Sequence, residues 1–321
     1  MRTRTKVWLI IAASFVLVGG IIFGGVMSML KWDFTKLSTV KYETNNYEID
    51  ENFNDISINT DTADITFISS DDEKFRVVCC EENKSKHFVV VEDNTLTINV
   101  VNEKKWYEYI GINFGAPKIA VYIPQGEYGE LSIKSSTGHI EIPKDFKFES
   151  IDVLESTGDV KNYASAAGDI KIKTNTGDIW VENVSAGTMD LSVSTGEVIA
   201  QSVTSEGDVK VSVSTGDTKL TDVSCKSVIS TGSTGDITLK NVFAKEKFYI
   251  ERSTGDIKLE KSDAETIKIE TDTGDVTGTL LTDKIFITET STGDISVPKT
   301  VAGGKCEITT NTGDINIKIV K

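Results

Sequence analysis

One short word, repeated at a nearly constant interval, constrains the fold of this chain more than any other feature. The word is centred on glycine, as in the STGDI of Ser253–Ile257, and its strict copies are 19 or 20 residues apart. Self-similarity at a fixed period of about 20 residues is typical of repeat proteins, in which each repeat adds one structural unit. The glycines at its centre are Gly138, Gly158, Gly177, Gly196, Gly216, Gly235, Gly255, Gly274, Gly293 and Gly313.

Between these glycines, apolar and polar residues alternate. After Gly255, Ile257 and Leu259 are apolar, whereas Asp256 and Lys258 are polar. Alternation with a period of two predicts a half-buried strand. Weaker half-period copies of the word indicate two similar halves per repeat. The sequence therefore predicts an all-β parallel β-solenoid, with two short strands and two turns in each coil of 19–20 residues.

The repeated word itself predicts a turn in which glycine has a positive φ. The Asp that follows can accept hydrogen bonds from nearby backbone N–H groups and so hold the corner. The eight glycines assigned to structural turns are Gly158, Gly177, Gly216, Gly235, Gly255, Gly274, Gly293 and Gly313. The next apolar residue should point inward, which predicts one buried stack of Ile179, Ile237, Ile257, Val276, Ile295 and Ile315.

Two other roles for the turn word remain open. A row of aspartates could bind divalent cations, as in calcium-binding β-rolls, but a calcium site needs six or more oxygen ligands and this word supplies few. Stacked threonines could form a flat face that resembles ice-binding solenoids. The sequence favours the structural corner, and it predicts no metal site and no cofactor.

The N-terminus predicts a membrane anchor. Residues 1–6 form a basic tail, and residues 7–30 carry no charge, which is long enough to span a bilayer. Because positive flanks stay in the cytoplasm, we expect a single pass with the N-terminus inside and everything after the linker (31–41) outside. A cleaved signal peptide is the alternative.

The charge of the exported part argues against nucleic acid as a partner. The whole chain carries −15 and residues 1–31 carry +4, so residues 32–321 carry −15 − 4 = −19. Nucleic-acid binding requires a basic footprint instead. Of the four cysteines, Cys79 and Cys80 should face opposite sides of a strand, and Cys225 and Cys306 should lie several coils apart, so no structural disulfide is expected.

Residues 42–135 are rich in predicted strands but less regular than the solenoid of 136–321. A degenerate copy of the repeated word at Thr62–Ile65 predicts an early coil. The aromatic stretch Asn102–Pro117 should either cap the solenoid or contact a partner through Trp106, Tyr107 and Tyr109, and Trp180 should point outward from a strand. At the other end, Ile315, Ile317 and Ile319 should leave an open strand edge.

The N-terminal span, the "NDISINTDTADITFISSDDEKFRVVC" opening, the "LTINVV" strand and the run of "STGDI" coils resemble the LiaG-like putative adhesin family of bacterial envelope proteins. The resemblance covers roughly residues 42–321 and implies a surface β-solenoid without an established activity. The expected function is a membrane-anchored, non-enzymatic binding or scaffold module. Its expected partners are the membrane and a cell-wall or surface polysaccharide or protein. An envelope-stress accessory role and a polysaccharide-acting β-helix enzyme are the alternatives, although no catalytic motif stands out.

Overall fold

The computed structural model describes residues 3–38, 40–72, 74–109 and 115–320. It contains helix α1 (Thr3–Met29) and two 3₁₀ helices, Phe34–Leu37 and Trp106–Tyr109. The strands of the N-terminal region are β1 (Tyr42–Ile49), β2 (Asp55–Thr62), β3 (Asp64–Ser69), β4 (Phe75–Glu82), β5 (Ser85–Glu92), β6 (Thr95–Asn102) and β7 (Lys118–Ile123). The strands that follow are β8 (Gly126–Thr137), β9 (Ile140–Ile142), β10 (Phe146–Thr157), β11 (Val160–Asn162), β12 (Ser165–Ala166), β13 (Asp169–Thr176), β14 (Ile179–Ala186), β15 (Thr188–Thr195), β16 (Val198–Ser205), β17 (Val209–Thr215), β18 (Thr218–Thr234), β19 (Ile237–Thr254), β20 (Ile257–Glu260), β21 (Asp263–Thr273), β22 (Val276–Leu280), β23 (Lys284–Thr292), β24 (Ile295–Ser296), β25 (Gly304–Thr312) and β26 (Ile315–Ile319).

Helix α1 forms over the uncharged run near the N-terminus. Most of its large apolar side chains, including Phe15 and Ile21, are exposed, whereas Met27 is buried. Residues Thr5–Met29 are long and apolar enough to cross a membrane. The helix is therefore compatible with a membrane anchor or with a signal sequence.

The repeat region is a parallel β-solenoid, as predicted. The strands that precede each corner glycine pair in parallel with their equivalents in the neighbouring coils, as Ile151 does with Ile170. The strands that follow the glycine form a second parallel ladder, in which Ile237 lies opposite Ile257. Successive side chains of a strand point to opposite faces, so one set from each ladder fills the interior.

The predicted internal stack is correct at five of its six positions. Five of these side chains are 0% exposed, namely Ile179, Ile237, Ile257, Val276 and Ile315. Ile295 is 45% exposed. The prediction is wrong for Ile295 because its coil is the last of the stack and nothing covers its inner face among the described residues.

The corner glycines have the positive φ that the sequence predicts, with values from +122° to +150° at the strict repeat positions. Close stacking is a second reason for glycine. A Cβ on Gly158 would lie 1.7 Å from the carbonyl oxygen of Gly138 in the preceding coil. Glycine is therefore required both by its own backbone conformation and by the coil beneath it.

The aspartates after these glycines form a ladder of hydrogen bonds between coils. The backbone N–H of Asp178 donates to Asp159 Oδ1 at 2.9 Å, and that of Asp256 donates to Asp236 Oδ1 at 2.9 Å. His139 takes the same place in its coil, where its Nδ1 lies 3.3 Å from the Asp159 nitrogen. The predicted corner role is correct, although the N–H group that is bound belongs to the next coil.

Five successive coils also share a bend that the sequence did not predict. Asn183 has a φ of +56° inside β14, and the pairing of β14 with β16 omits this residue. The equivalent residues of later coils share this left-handed conformation, namely Ser202, Asp222, Asn241 and Lys261. Asn and Asp tolerate it best among residues with a Cβ, which explains their frequency at this bend.

At the N-terminal end, the predicted early coil lies inside the stack. Strand β2 pairs in parallel with β6 and β8, and β3 pairs in parallel with β7 and β9. The chain therefore adds β6 and β7 outside β2 and β3 before it returns to the regular coils. Antiparallel strands then close this end, because β5 pairs with β6, β4 with β7, and β1 with β4.

The rings that pack at this end are not those of the aromatic stretch. Phe53 is 7% exposed and packs against Phe75 with ring centroids 4.6 Å apart. By contrast, Trp106 is 78% exposed and Tyr107 is 49% exposed. Of the two predicted roles of Asn102–Pro117, capping by these two rings is wrong, because antiparallel strands and the phenylalanines already close the end.

At the C-terminal end, the order of the coils in space differs from their order in the chain. Strand β25 lies between β21 and β23, and β26 lies between β22 and β24. Ile315 and Ile317 are consequently buried. The predicted open edge at the C-terminus is wrong, since the exposed edge belongs to β23 and β24. The outermost coil is held by buried Lys284, whose Nζ lies 2.6 Å from Asp263 Oδ1.

Candidate binding surface at the N-terminal cap

The most exposed aromatic pair on the described part of the cap is Trp106 and Tyr107, in the 3₁₀ helix Trp106–Tyr109. Their ring centroids are 5.9 Å apart and their planes meet at 82°. Trp and Tyr are enriched at binding interfaces because each combines a large apolar ring with a polar tip. The side chain of Tyr109 and residues 110–114 lie outside what the structure describes.

Hydrogen bonds at the start of this stretch attach it to the solenoid. Asn102 Nδ2 donates to Asp61 Oδ2 at 2.9 Å, and the Lys104 backbone N–H donates to Asn102 Oδ1 at 3.0 Å. The Lys104 ammonium also pairs with Glu82 on β4. The aromatic pair therefore follows a segment that is fixed to two strands.

A groove of about 570 Å³ lies on the hairpin β5–β6. Tyr47, Lys86, Phe88, Val101 and Glu103 are among the residues that line it. Phe88 and Val101 are more than half exposed, at 56% and 53%. The groove therefore combines apolar surface with groups of both charges, and its residue Glu103 stands three positions before Trp106 in the chain.

Trp180 is on the flank of the rod, far along the chain from the cap. It pairs in register with Lys161 and Ile199, whose side chains face outward, and its Nε1–H donates to Glu182 Oε2 at 3.1 Å. The predicted outward direction is correct. The ring is half-buried between neighbouring coils, so it offers less surface than Trp106.

A buried polar cluster lies behind the groove. Cys79, Glu81 and His87 are 0%, 1% and 4% exposed, and one ligand atom from each lies within 4.8 Å of the others. His87 Nδ1 is 2.7 Å from Glu81 Oε2, and His87 Nε2 is 2.9 Å from Thr60 Oγ1. Asn45 Nδ2 donates to Glu81 Oε1 at 2.6 Å. Burial raises the pKa of the Cys79 thiol to about 12, and the Glu81 carboxylate adds to this rise.

Sequence reasoning missed this cluster because its members come from two strands. Cys79 and Glu81 are two residues apart on β4, so they share one face, whereas His87 is on β5. The available signal was a Cys-x-Glu pair on a predicted strand, followed by one of only two histidines in the chain.

The chain matches the family described as Toastrack DUF4097 over residues 53–213 and again over residues 204–321. These two matches together span the early coil, the cap strands after β1 and the whole repeat region. The chain belongs to the Toastrack DUF4097 family. The predicted kinship is confirmed at this level, and the narrower LiaG-like relationship stays a prediction.

Three solved bacterial structures are distantly similar to this Toastrack chain. A "putative adhesin" from Bacteroides fragilis is 18% identical, with a TM-score of 0.41, over 87% of this chain and 97% of its own. A "putative adhesin" from Parabacteroides merdae is 12% identical, with a TM-score of 0.43, over 76% and 98%. A "putative lipid binding protein" from Parabacteroides distasonis is 18% identical, with a TM-score of 0.34, over 75% and 95%. No curated protein matches the chain.

Proposed function

We propose that this Toastrack protein is a membrane-anchored extracellular rod that binds a cell-wall or surface polysaccharide without catalysing a reaction. The observation that carries the proposal is the exposed Trp106–Tyr107 pair, three residues after Glu103, which lines a partly apolar groove. Aromatic rings of this kind supply rigid, amphipathic contact area.

The anchor and the cap are at the same end of the molecule. Helix α1 ends at Met29, and β1 begins at Tyr42 as the outermost strand of the cap. The 12 intervening residues, 30–41, span at most about 40 Å when fully extended. With α1 in the bilayer, the cap is therefore the membrane-proximal end, and the coil that contains Gly293 is the distal end. The basic residues of the N-terminal tail support a cytoplasmic N-terminus and an extracellular rod.

A non-enzymatic role is supported by the state of the carboxylates. In the ladder, the side chains of Asp159, Asp236 and Asp256 accept backbone N–H groups of the next coil. These hydrogen bonds at the corner explain the positions of the carboxylates. A general acid–base pair needs carboxylates that face a substrate position instead.

The test is co-sedimentation of the full-length protein, in mild detergent, with isolated bacterial cell walls. We expect the Trp106→Ala/Tyr107→Ala double variant to lose at least about tenfold in retention, because binding hot spots are enriched in Trp and Tyr and each contributes about 2 kcal/mol or more. Thermal melting should show that this variant still folds, since both rings are exposed.

Trp180→Ala is the matched control, because it removes the same ring from the flank. Unchanged retention of the Trp180→Ala variant together with loss in the double variant would place binding at the cap. Equal retention of the wild type and the double variant would refute the cap as the binding surface. A role as spacer or scaffold would then be favoured, since the flanks carry ordinary mixed charges.

A further inference from the structure

Behind the proposed binding groove, three buried side chains have the identity and spacing of transition-metal ligands. The Cys79 sulfur, a Glu81 carboxylate oxygen and a His87 ring nitrogen lie within 4.8 Å of one another. Zinc bonds of 2.0–2.3 Å place tetrahedral ligand atoms roughly 3.4 Å apart. The observed separations, from 2.7 Å for the His87–Glu81 pair up to 4.8 Å, bracket this distance.

We infer that Cys79, Glu81 and His87 form a binding site for a zinc ion inside the N-terminal cap. Thiolate, imidazole and carboxylate together suit this borderline-soft cation better than magnesium or calcium, which prefer oxygen ligands alone. Three protein ligands leave a fourth coordination position for a small ligand such as water. The site does not depend on polysaccharide binding.

The surroundings of the three side chains match the second shell of a metal site. Metal-bound histidines almost always use their other ring nitrogen in a hydrogen bond, which fixes the ring. His87 Nε2 lies 2.9 Å from Thr60 Oγ1, so Nδ1, which is 2.7 Å from Glu81 Oε2, is the ring nitrogen left for the metal. Asn45 holds the second oxygen of Glu81 at 2.6 Å. Each imidazole and carboxylate ligand is thus oriented by a neighbour.

The electrostatics of the cluster also favour a cation. Glu81 is 1% exposed and lies beside the Cys79 thiol, and a buried carboxylate needs a compensating charge. A zinc ion held by Cys79, Glu81 and His87 would supply this charge. His87 also lines the groove of about 570 Å³, so one of the three ligands borders a solvent-filled depression.

The site has a structural consequence, because its ligands join separate strands. Cys79 and Glu81 are on β4, which pairs with β1 and β7, whereas His87 is on β5, which pairs with β6. A bound ion would link the antiparallel strands over both ladders of the solenoid. Zinc should therefore raise the melting temperature, since a ligand that binds only the folded state stabilises it.

The experiment uses full-length protein in mild detergent, stripped of metal with a chelator and titrated with Co²⁺ and with Zn²⁺. We expect one equivalent of Co²⁺ to produce a near-ultraviolet thiolate-to-cobalt absorption band, and Zn²⁺ to abolish it by displacement. Elemental analysis after gel filtration should give one zinc per chain, and the melt should shift upward.

Cys80 provides the matched control, since it is the adjacent thiol on the opposite face of β4. Cys79→Ser should lose the cobalt band, whereas Cys80→Ser should keep it. The near-isosteric Glu81→Gln tests the site without deleting a core side chain. Thr60→Val should weaken zinc binding about 10- to 100-fold, as expected for loss of a second-shell partner.

Two results would overturn the site. The first is a wild-type protein that binds less than about 0.1 equivalent of zinc and melts at the same temperature with zinc and with chelator. The second is a cobalt band that survives in Cys79→Ser and disappears in Cys80→Ser. In either case, the hydrogen bond between His87 and Glu81 would by itself account for the cluster.

Discussion

At the residue scale, Gly255 illustrates why the repeated word tolerates so little change. Its φ is +142°, and a Cβ there would lie 2.1 Å from the carbonyl oxygen of Gly235. We expect Gly255→Ala to destabilise the protein by about 3 kcal/mol, from backbone strain and from the clash between coils. Denaturation followed by circular dichroism measures this. The control is Gly126→Ala, whose Cβ would meet nothing closer than 3.9 Å. Similar losses in both variants would contradict the argument.

Glu155 occupies an inward position and gives stability a predictable pH dependence. It is fully buried, and burial raises its pKa above the ordinary 4.5 despite hydrogen bonds that lower it. The folded state therefore holds this proton more tightly, so stability falls as pH rises from the unfolded pKa to the folded pKa. Above that window the cost is constant.

Glu155→Gln should remove this cost at neutral pH. The amide keeps an oxygen for the N–H groups of Ser156 and Thr157, each 3.2 Å from Glu155 Oε1, and carries no charge. We expect a melting temperature at pH 7 higher by about 2 °C or more and a flatter fall of stability above pH 4.5. Melts from pH 4 to pH 8 measure both. Exposed Glu141→Gln is the control, and a lower melting temperature for Glu155→Gln at pH 7 would refute the prediction.

At the scale of strands and coils, the pattern within one repeat predicts the structure of a coil, but it does not predict the order in which the coils stack. Glycine spacing and alternation predicted the parallel ladders and the internal stack, because each depends on residues within one period. The exchange of the last two coils was not predictable in this way. Strands β23 and β25 both carry the inward pattern and the corner word, so either could pair with β21. In the observed order, Lys284 on β23 reaches Asp263 on β21 although β25 lies between these two strands, and the pattern within one repeat does not reveal such a contact.

The candidate sites show the same difference between features that depend on one strand and features that depend on how separate strands pair. An outward-facing Trp180 follows from alternation within one strand, and it was predicted correctly. The exposure of Trp106 was one of two predicted alternatives, because it depends on whether other segments close the cap. The cluster of Cys79, Glu81 and His87 was not predicted, since it needs the antiparallel pairing of strands that differ from the repeat.

At the scale of the whole molecule, the two ends of the rod differ in how they are closed. The N-terminal end has antiparallel strands and packed rings, whereas the distal end has only the coil of β23 and β24. Strand β23 pairs with β25 on one side, and no described strand pairs with its other side. Open edges invite pairing with a second chain unless charges or bulges prevent it.

This distal edge should make the protein associate weakly with itself. Ile285 and Ile287 are 44% and 52% exposed on β23. Ile295, at the open end of the internal stack, is 45% exposed. We expect a concentration-dependent dimer with a Kd above about 1 μM, since one strand edge buries little area. Ile287→Lys should weaken it at least tenfold, about 1.4 kcal/mol, because a charged side chain on an edge strand opposes pairing. Sedimentation velocity over a range of concentrations measures this.

Leu154→Lys is the control, because Leu154 is equally apolar and 43% exposed but stands on β10, which is paired on both sides. An equal effect of both substitutions would assign association to general surface apolarity, and a monomer at every concentration would show that the edge is protected.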